Sequence, residues 1–547
     1  MKDWFKKSVV YQIYPKSFND SNNDGIGDIK GIIEKLDYIK NLGIEVIWLT
    51  PIYVSPQKDN GYDIADYYNI DPIFGTMEDF EDLLNKVHER GMKLIMDMVV
   101  NHTSTEHKWF KEALKGEDNP YHDFYIWKKS NKVPNNWQSK FGGSAWEYVE
   151  SLDKYYLHLF DVTQADLNWE NPKLREEVYK MMCFWMDKGV DGFRLDVVNL
   201  ISKDQSFKDD TLESPNHDGR RFYTDGPRIH EYLHEMNKNV FSKYEGSMTV
   251  GEMSSTTINH CINYTKPERE ELSMTFNFHH LKVDYPNGEK WSLAPFDFIQ
   301  LKNILFTWQV GMQEGNGWNA TFWSNHDQPR ALSRFGDDKN YPKESAKMLA
   351  TTIHLMRGTP YVYQGEEIGM TNPYFETIDK YKDVESINAY NNLLKKGYLE
   401  KEVLEILKSK SRDNSRTPIQ WDENGGFSEG KSWIDMADNY KYINAKKCLE
   451  EENSIYEYYG KLAKLRKEYD IISHGDIEPI LEEDENILAY IRKYKENELL
   501  VVCNFFGKEV NLNIDDKFKK GKILISNYDM NGVSNILKPY ECFAVLV

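Results

Sequence analysis

Arg194 and Asp196 stand two apart in the apolar run Gly192-Phe193-Arg194-Leu195-Asp196-Val197-Val198. In an extended strand, residues two apart point the same way. A guanidinium beside a carboxylate holds it ionised, the state a carboxylate nucleophile needs. Three further runs end alike: Met96-Asp97-Met98-Val99-Val100-Asn101-His102, Val250-Gly251-Glu252 and Trp323-Ser324-Asn325-His326-Asp327 all pass from apolar residues to acids and imidazoles. One such end is an ordinary helix cap or a satisfied polar group. Four, with two histidines and an arginine, form the kind of charged cluster that marks an active site. Carboxylates with imidazoles and no thiolates suit glycoside cleavage, in which one acid protonates the leaving oxygen and another attacks or supports the anomeric carbon.

Elements must bring these ends together. Eight β-rich runs alternate with helical stretches: Val9 to Tyr14, Ile44 to Leu49, Lys93 to Met98, Gly192 to Val197, Ser247 to Gly251, Ser273 to Phe276, Ala320 to Trp323 and Pro360 to Tyr363. Helix ends are marked by Thr76 with Asp79 and then Gly91, and by Asn171-Pro172 and then Gly189. Eight strand–helix alternations predict an α/β fold, a (β/α)8 TIM barrel whose chemistry lies at the C-terminal ends of its strands. Residues 102–170 are rich in Trp, Asn, Lys and Gly without sustained periodicity and read as a subdomain inserted after strand 3. From about Ile472, short alternating runs (Leu488 to Arg492, Glu498 to Asn504, Lys522 to Ser526) predict a C-terminal antiparallel all-β domain, a β-sandwich. The barrel is thus expected over 1–101 and 171–471, and the end domain over 472–547.

With 547 residues the chain has room for a large buried interior. A net charge of -20, from 88 acidic and 68 basic residues, argues against nucleic acid or an anionic membrane as partner, so an anionic ligand would need a local basic pocket. Five scattered cysteines with no CxxC pair suggest neither a disulfide framework nor a zinc site. Residues 1–10 have no apolar core of signal-peptide length, and no run of 18 or more apolar residues occurs. A cytoplasmic protein, monomeric and without an organic cofactor, is expected.

Asp97 to His102, Gly192 to Asp196, Gly251-Glu252 and Asn325-His326-Asp327, with Gln164-Ala165-Asp166-Leu167-Asn168 in the insert, resemble the signature regions of the α-amylase superfamily of glycoside hydrolases. The resemblance spans essentially the whole chain. It implies Asp196 as nucleophile, Glu252 as general acid/base and Asp327 as the third carboxylate, holding substrate hydroxyls. It places Arg194, His102 and His326 around the glucose ring, with Gln164 beside them, Tyr62 as a stacking ring, Asp63 as a hydroxyl ligand and Arg416 as a further sugar-site cation. Ala165 stands where a proline is more usual. Retention of anomeric configuration follows from the resemblance and requires the two carboxyls to be close. Glu252 should hold its proton near neutrality while Arg194 keeps Asp196 ionised.

Asp20-Ser21-Asn22-Asn23-Asp24-Gly25-Ile26-Gly27-Asp28 offers oxygen at alternate positions of a Gly-rich loop, through Asp20, Asn22, Asp24, the carbonyl of Ile26 and Asp28. That spacing wraps a hard cation, and similar loops in the oligoglucosidase branch hold structural calcium. Magnesium and a hydrogen-bonded Asx turn before Ile29 are the alternatives. Val197 after the nucleophile resembles the branch that acts on α-1,6 or α-1,1 links. The segments 218–228 and 278–291 resemble the enzymes of that branch that cleave trehalose 6-phosphate, with the oligo-1,6-glucosidases as neighbours. A sugar phosphate is then the expected substrate, with Lys282 first, Lys290 second and His280 also as phosphate ligands. Other readings are a sucrose isomerase or transglycosidase, decided by products, and a non-enzymatic partner of a membrane transporter, which should have lost these carboxylates.

Overall fold

The structure, a computed structural model, describes residues 3–211 and 217–547; Met1 and Lys2 of the N-terminal stretch lie outside them. Its centre is eight parallel strands: β1 (Val10–Ile13), β2 (Val46–Leu49), β3 (Lys93–Val99), β4 (Gly192–Asp196), β5 (Met248–Glu252), β6 (Met274–Phe276), β7 (Ala320–Thr321) and β8 (Thr359–Tyr363). They lie in the order β6-β5-β4-β3-β2-β1-β8-β7, and a parallel bridge from Thr275 to Asn319 joins the two ends into a barrel. Each strand coincides with a run named above, trimmed or shifted by a residue or two. They were legible because every residue of β1, β2, β4, β5, β6 and β8 is buried, so each reads as a continuous rather than an alternating apolar run. Gly192 opens β4 at φ +150°, where an added Cβ would stand 1.8 Å from the carbonyl oxygen of Met248. The close approach of β4 to β5 depends on its having no side chain.

The helices around the barrel begin at the expected caps. Met77–Glu89 opens on a reciprocal capping box of Thr76 and Asp79, and Pro172–Asp187 on the Asn171 side chain with Pro172 in the first turn. Beyond β3 the chain leaves the barrel and returns. His102–Ser104 pairs antiparallel with Gln164–Asp166, so entry and exit of the insert are zipped together. Between them lies a three-stranded sheet of Trp127–Lys128, Lys154–Leu157 and Trp146–Val149. Strands this short cannot show a period, which is why the sequence hid them. Lys203 Nζ, from the loop after β4, lies 2.8 Å from Asp166 Oδ1, a buried pair pinning the insert to the barrel.

At the C-terminal end, Asp476–Ile480, Ile487–Tyr494, Asn497–Asn504, Cys542–Leu546 and Lys522–Ser526 form a five-stranded antiparallel sheet in that order, beside a two-stranded piece of Val510–Asn511 and Ile536–Leu537. Alternation separates its faces. Ile487, Ala489, Leu500 and Val502 enclose a core of the domain's own, while Leu488, Tyr490, Leu499 and Val501 join the main core of the barrel. All five cysteines are free. Among the described residues, no helix is long and apolar enough to cross a membrane.

Candidate active site

Four carboxylates reach one mouth because four strands end there. Arg194, 1% exposed, lies beneath three of them: its Nη1 bonds Asp97 Oδ1 at 2.8 Å and Asp196 Oδ1 at 2.6 Å, and its Nη2 lies 2.5 Å from Glu252 Oε2. Register explains the first contact, since Arg194 stands opposite Asp97 across the β3–β4 ladder. Trp48 Nε1 and Tyr62 Oη donate to the other oxygen of Asp97 at 3.2 and 3.0 Å. Asp97 is thereby consumed in seating Arg194, and it is Asp196 and Glu252 that keep an oxygen for a substrate.

Burial pushes all three acids up: Asp97 to about 6, Asp196 to about 7 and Glu252 to about 8, the last raised further by the charges of Asp196 and Asp327. Arg194 opposes each shift without overcoming it, because one cation is divided among three buried acids. The expectation that Arg194 simply keeps Asp196 ionised is corrected accordingly. What survives is the order: Asp196 loses its proton before Glu252, so between about pH 7 and 8 the pair holds one proton, on Glu252.

Asp327 is held the opposite way. Burial would raise its carboxyl, but His326, Arg412 and Arg416 outweigh burial and keep it well below the usual range. Arg416 Nη2 and Arg412 Nη1 bond its Oδ1 at 2.8 and 3.1 Å. His326 lies flat on Tyr62, ring centres 5.2 Å apart and planes at 5°. Gln12 Nε2 is 2.8 Å from His326 Nδ1, which leaves the proton on Nε2. That Nε2 is 3.2 Å from Asp327 Oδ2 but has no aligned acceptor. His102 Nε2 lies 3.2 Å both from the carbonyl oxygen of Tyr62 and from Gln164 Nε2. Burial drives His102 down to about 4 and His326 to about 3, so both rings are neutral.

Asp63 does not join this group. It is fully buried, and its two oxygens accept from Ser55 Oγ and from the amides of Lys58 and Asp59 at 2.9 to 3.0 Å. Asp59 takes the place expected for it: Gln164 Nε2 bonds it at 3.0 Å and Arg412 Nη2 lies 3.3 Å away. Asp59, Arg412 and Asp383, which bonds Arg412 Nη2 at 2.5 Å and Arg416 Nη1 at 3.2 Å, were missed from sequence. The available signal was the four-residue spacing of Arg412 and Arg416, which the helical turn Asp413–Arg416 sets on one side.

A family model described as "Alpha amylase, catalytic domain" matches residues 12–475, and one described as "Alpha-amylase SusG C-terminal domain" matches 487–542. The chain belongs to the α-amylase family. It is 60% identical to a trehalose-6-phosphate hydrolase of Bacillus subtilis (strain 168), over 98% of this chain and 97% of that protein. It is 53% identical to an oligo-1,6-glucosidase of Parageobacillus thermoglucosidasius, over 98% of each. The crystal structure of a Bacillus licheniformis trehalose-6-phosphate hydrolase superposes with a TM-score of 0.95 at 61% identity, over 99% of each chain. Like these relatives, the protein is a glycoside hydrolase.

On this α-amylase barrel the expected phosphate ligands separate. His280 is buried, its Nε2 2.9 Å from the carbonyl oxygen of Phe322, and burial pushes it down to about 4; a neutral ring committed to backbone is no phosphate ligand. Lys290 is paired with Glu385 at 2.6 Å. Lys282 is exposed and has no carboxylate within 4 Å among the described residues. Near it are Lys140 of the insert and Arg220 of the loop after β4: burial first, then Arg220 and Lys282, push Lys140 down to about 8, while Arg220 is itself forked onto Asp218 at 2.6 to 3.0 Å.

The loop 20–28 closes on itself. Asp20 accepts from the amides of Asn22, Asn23 and Gly25, Asn22 from Asp24, Asp24 from Ile26, and Asp28 from Ser21 and Gly31, all at 2.7 to 3.1 Å. The bonds of Asp20 to Asn22, Asn22 to Asp24 and Asp24 to Ile26 make Asx turns, and Asp28 is the N-cap of the helix Ile29–Glu34. Among the described residues, no three His, Cys, Asp or Glu side chains converge as a metal site. Two carboxylate oxygens accept more than one bond each, however, so the turns leave lone pairs on Asp20, Asp24 and Asp28.

Proposed function

We propose that the protein hydrolyses trehalose 6-phosphate to glucose and glucose 6-phosphate with retention, through a glucosyl ester on Asp196. The observation that carries the chemistry is one guanidinium spanning Asp196 and Glu252, which sets the two carboxyls close together, as a retaining pair requires. Asp196 attacks the anomeric carbon as Glu252 gives its proton to the bridging oxygen, and glucose 6-phosphate leaves. Glu252 then takes a proton from water, whose oxygen displaces Asp196. Asp327, kept ionised by its two arginines, accepts sugar hydroxyls, and the unpartnered Nε2 of His326 is a donor awaiting one. Tyr62, His102, Gln164 and Asp59 wall the same unit.

The phosphate reading is supported by Lys282 and Lys140, cations from the loop after β6 and from the insert that act on each other in a chain whose net charge is -20, with Arg220, already forked onto Asp218, beside them. Lys140 precedes Phe141, whose ring lies 5.2 Å from the Arg412 guanidinium, so this stretch of the insert runs beside the Asp327 site. Glucose release from trehalose 6-phosphate, trehalose, isomaltose and sucrose is the deciding assay. Preference for isomaltose would make the protein an oligo-1,6-glucosidase instead. Lys282→Ala is expected to raise KM for trehalose 6-phosphate about tenfold or more and to leave that for an uncharged aryl glucoside alone; equal effects would remove Lys282 from the phosphate site. The enzyme is proposed to work as a cytoplasmic monomer, which size-exclusion mass measurement tests in part.

The loop of Asp20, Asn22, Asp24, Ile26 and Asp28 is proposed to take a structural calcium or magnesium on those remaining lone pairs. Chelation should then lower the melting temperature, and an unchanged melt in metal-free buffer would assign the loop to its Asx turns alone.

A further inference from the structure

Val197 follows Asp196 in a backbone conformation its side chain disfavours. Its φ is +34° and ψ +40°, the left-handed region in which a β-branched residue is an outlier held only by its surroundings. Two contacts hold it. The side chain, 9% exposed, lies in the apolar core of the insert with Trp137, Trp146, Leu157 and Phe207. The amide donates to Glu252 Oε2 at 3.1 Å. The end of β5 leaves room for this approach: a Cβ on Gly251 would meet Val198 Cγ1 at 3.2 Å and the methyl of Met253 at 2.4 Å.

Arg194 Nη2 sits on the same Oε2, at 2.5 Å. An oxygen that accepts from an amide and lies against a guanidinium is the poorer seat for a proton, so the proton of Glu252 belongs on Oε1. We propose that Val197 is a positioning residue for Glu252: its left-handed backbone, anchored in the core of the insert, aims an amide at Oε2 and so commits Oε1 to the leaving oxygen. In the first step the Oε1 proton passes to the bridging oxygen as its bond to carbon breaks and the bond to Asp196 forms. In the second, Oε1 receives the proton of the attacking water. The inference rests on Glu252 being the acid, and it makes the inserted subdomain a working part of the catalytic pair rather than a wall beside it.

The test compares two variants by the alkaline limb of kcat/KM on trehalose 6-phosphate, whose sugar leaving group needs the proton of the acid, with an uncharged aryl α-glucoside alongside as a measure of folded enzyme. In Val197→Ala the anchor is gone while a Cβ still disfavours the left-handed region. The amide turns away, and because that bond favours the carboxylate, the alkaline midpoint should rise by about half to one pH unit. Val197→Gly adopts the left-handed region freely and should bring the midpoint back to the wild-type position. A purely packing role predicts that both variants lose stability and that neither moves the limb. An unmoved limb in Val197→Ala, or Gly shifting it as far as Ala, overturns the proposal. Should Val197→Ala fail to fold, Leu157→Ala, which loosens the same apolar cluster from within the insert, is read in its place with the same expected rise. Glu252→Gln separates the two readings: if it leaves the alkaline limb standing, the acid assignment itself fails; if it removes the limb while Val197→Ala does not move it, only the role of Val197 fails.

Discussion

Which of two buried acids holds the last proton sets the working pH of this site. Asp196 must be ionised to attack and Glu252 protonated to donate, so activity should rise through about pH 7 and fall through about pH 8. Glu252→Gln should abolish the falling limb and lower turnover of the disaccharide by about 10²–10⁴-fold, with a smaller loss on an aryl glucoside whose leaving group needs no proton. Stability carries the same signature. An acid whose pKa is raised on folding binds its proton more tightly in the native state, so its contribution is fully present below the ordinary carboxyl value, shrinks as pH rises above that value and is gone once pH passes the folded value. Glu252→Gln should therefore melt higher than wild type at pH 9 and show no such gain at pH 5, as calorimetry at the two values will tell. Asp327 has the opposite sign, since its depressed pKa stabilises the fold above the usual carboxylate range and the benefit is lost in acid.

At the scale of elements, the catalytic geometry depends on how the insert is fastened. Asp166 accepts from Leu159 N at 2.7 Å and from Asn101 Nδ2 at 3.1 Å, and Lys203 crosses from the loop after β4 to neutralise it. Both partners are buried, so removing one leaves an uncompensated charge where water cannot reach. Lys203→Met should destabilise the fold by about 3–5 kcal/mol and make residues 102–170 the first segment cut by trypsin. Retention of the wild-type melting temperature would show that Asp166 finds another partner. The strands of the barrel were readable from composition because parallel strands covered on both faces are apolar throughout. The strands inside the insert were not, because they are two to four residues long and their pairing, not their pattern, defines them.

At the scale of the molecule, the C-terminal sheet is joined to the barrel by buried cations that find carbonyls rather than carboxylates. Arg492 donates to the backbone oxygens of Leu355, Ile472, Gly475 and Asp476 at 2.5 to 3.2 Å, and Lys302 of the barrel to those of Leu481, Asp484 and Ile487. Arg492→Met would strand these acceptors at about 1–3 kcal/mol for each left dry. It should lower the urea midpoint while leaving the pH profile of folded enzyme unchanged, since the junction lies away from the strand ends that carry the acids. What the amino-acid order by itself determined is the barrel and the acids at its strand ends, since both are local: a buried parallel strand is a run of apolar residues, and its last residues are polar only where something meets them. What only the tertiary structure decided is which partners those acids have. Asp59 rather than Asp63 faces Arg412, Lys282 rather than Lys290 or His280 is without a partner among the described residues, and Arg194 is shared among three carboxyls instead of serving one. Such choices depend on distances between loops far apart along the chain and on how much water burial removes, and neither is written in the spacing of residues.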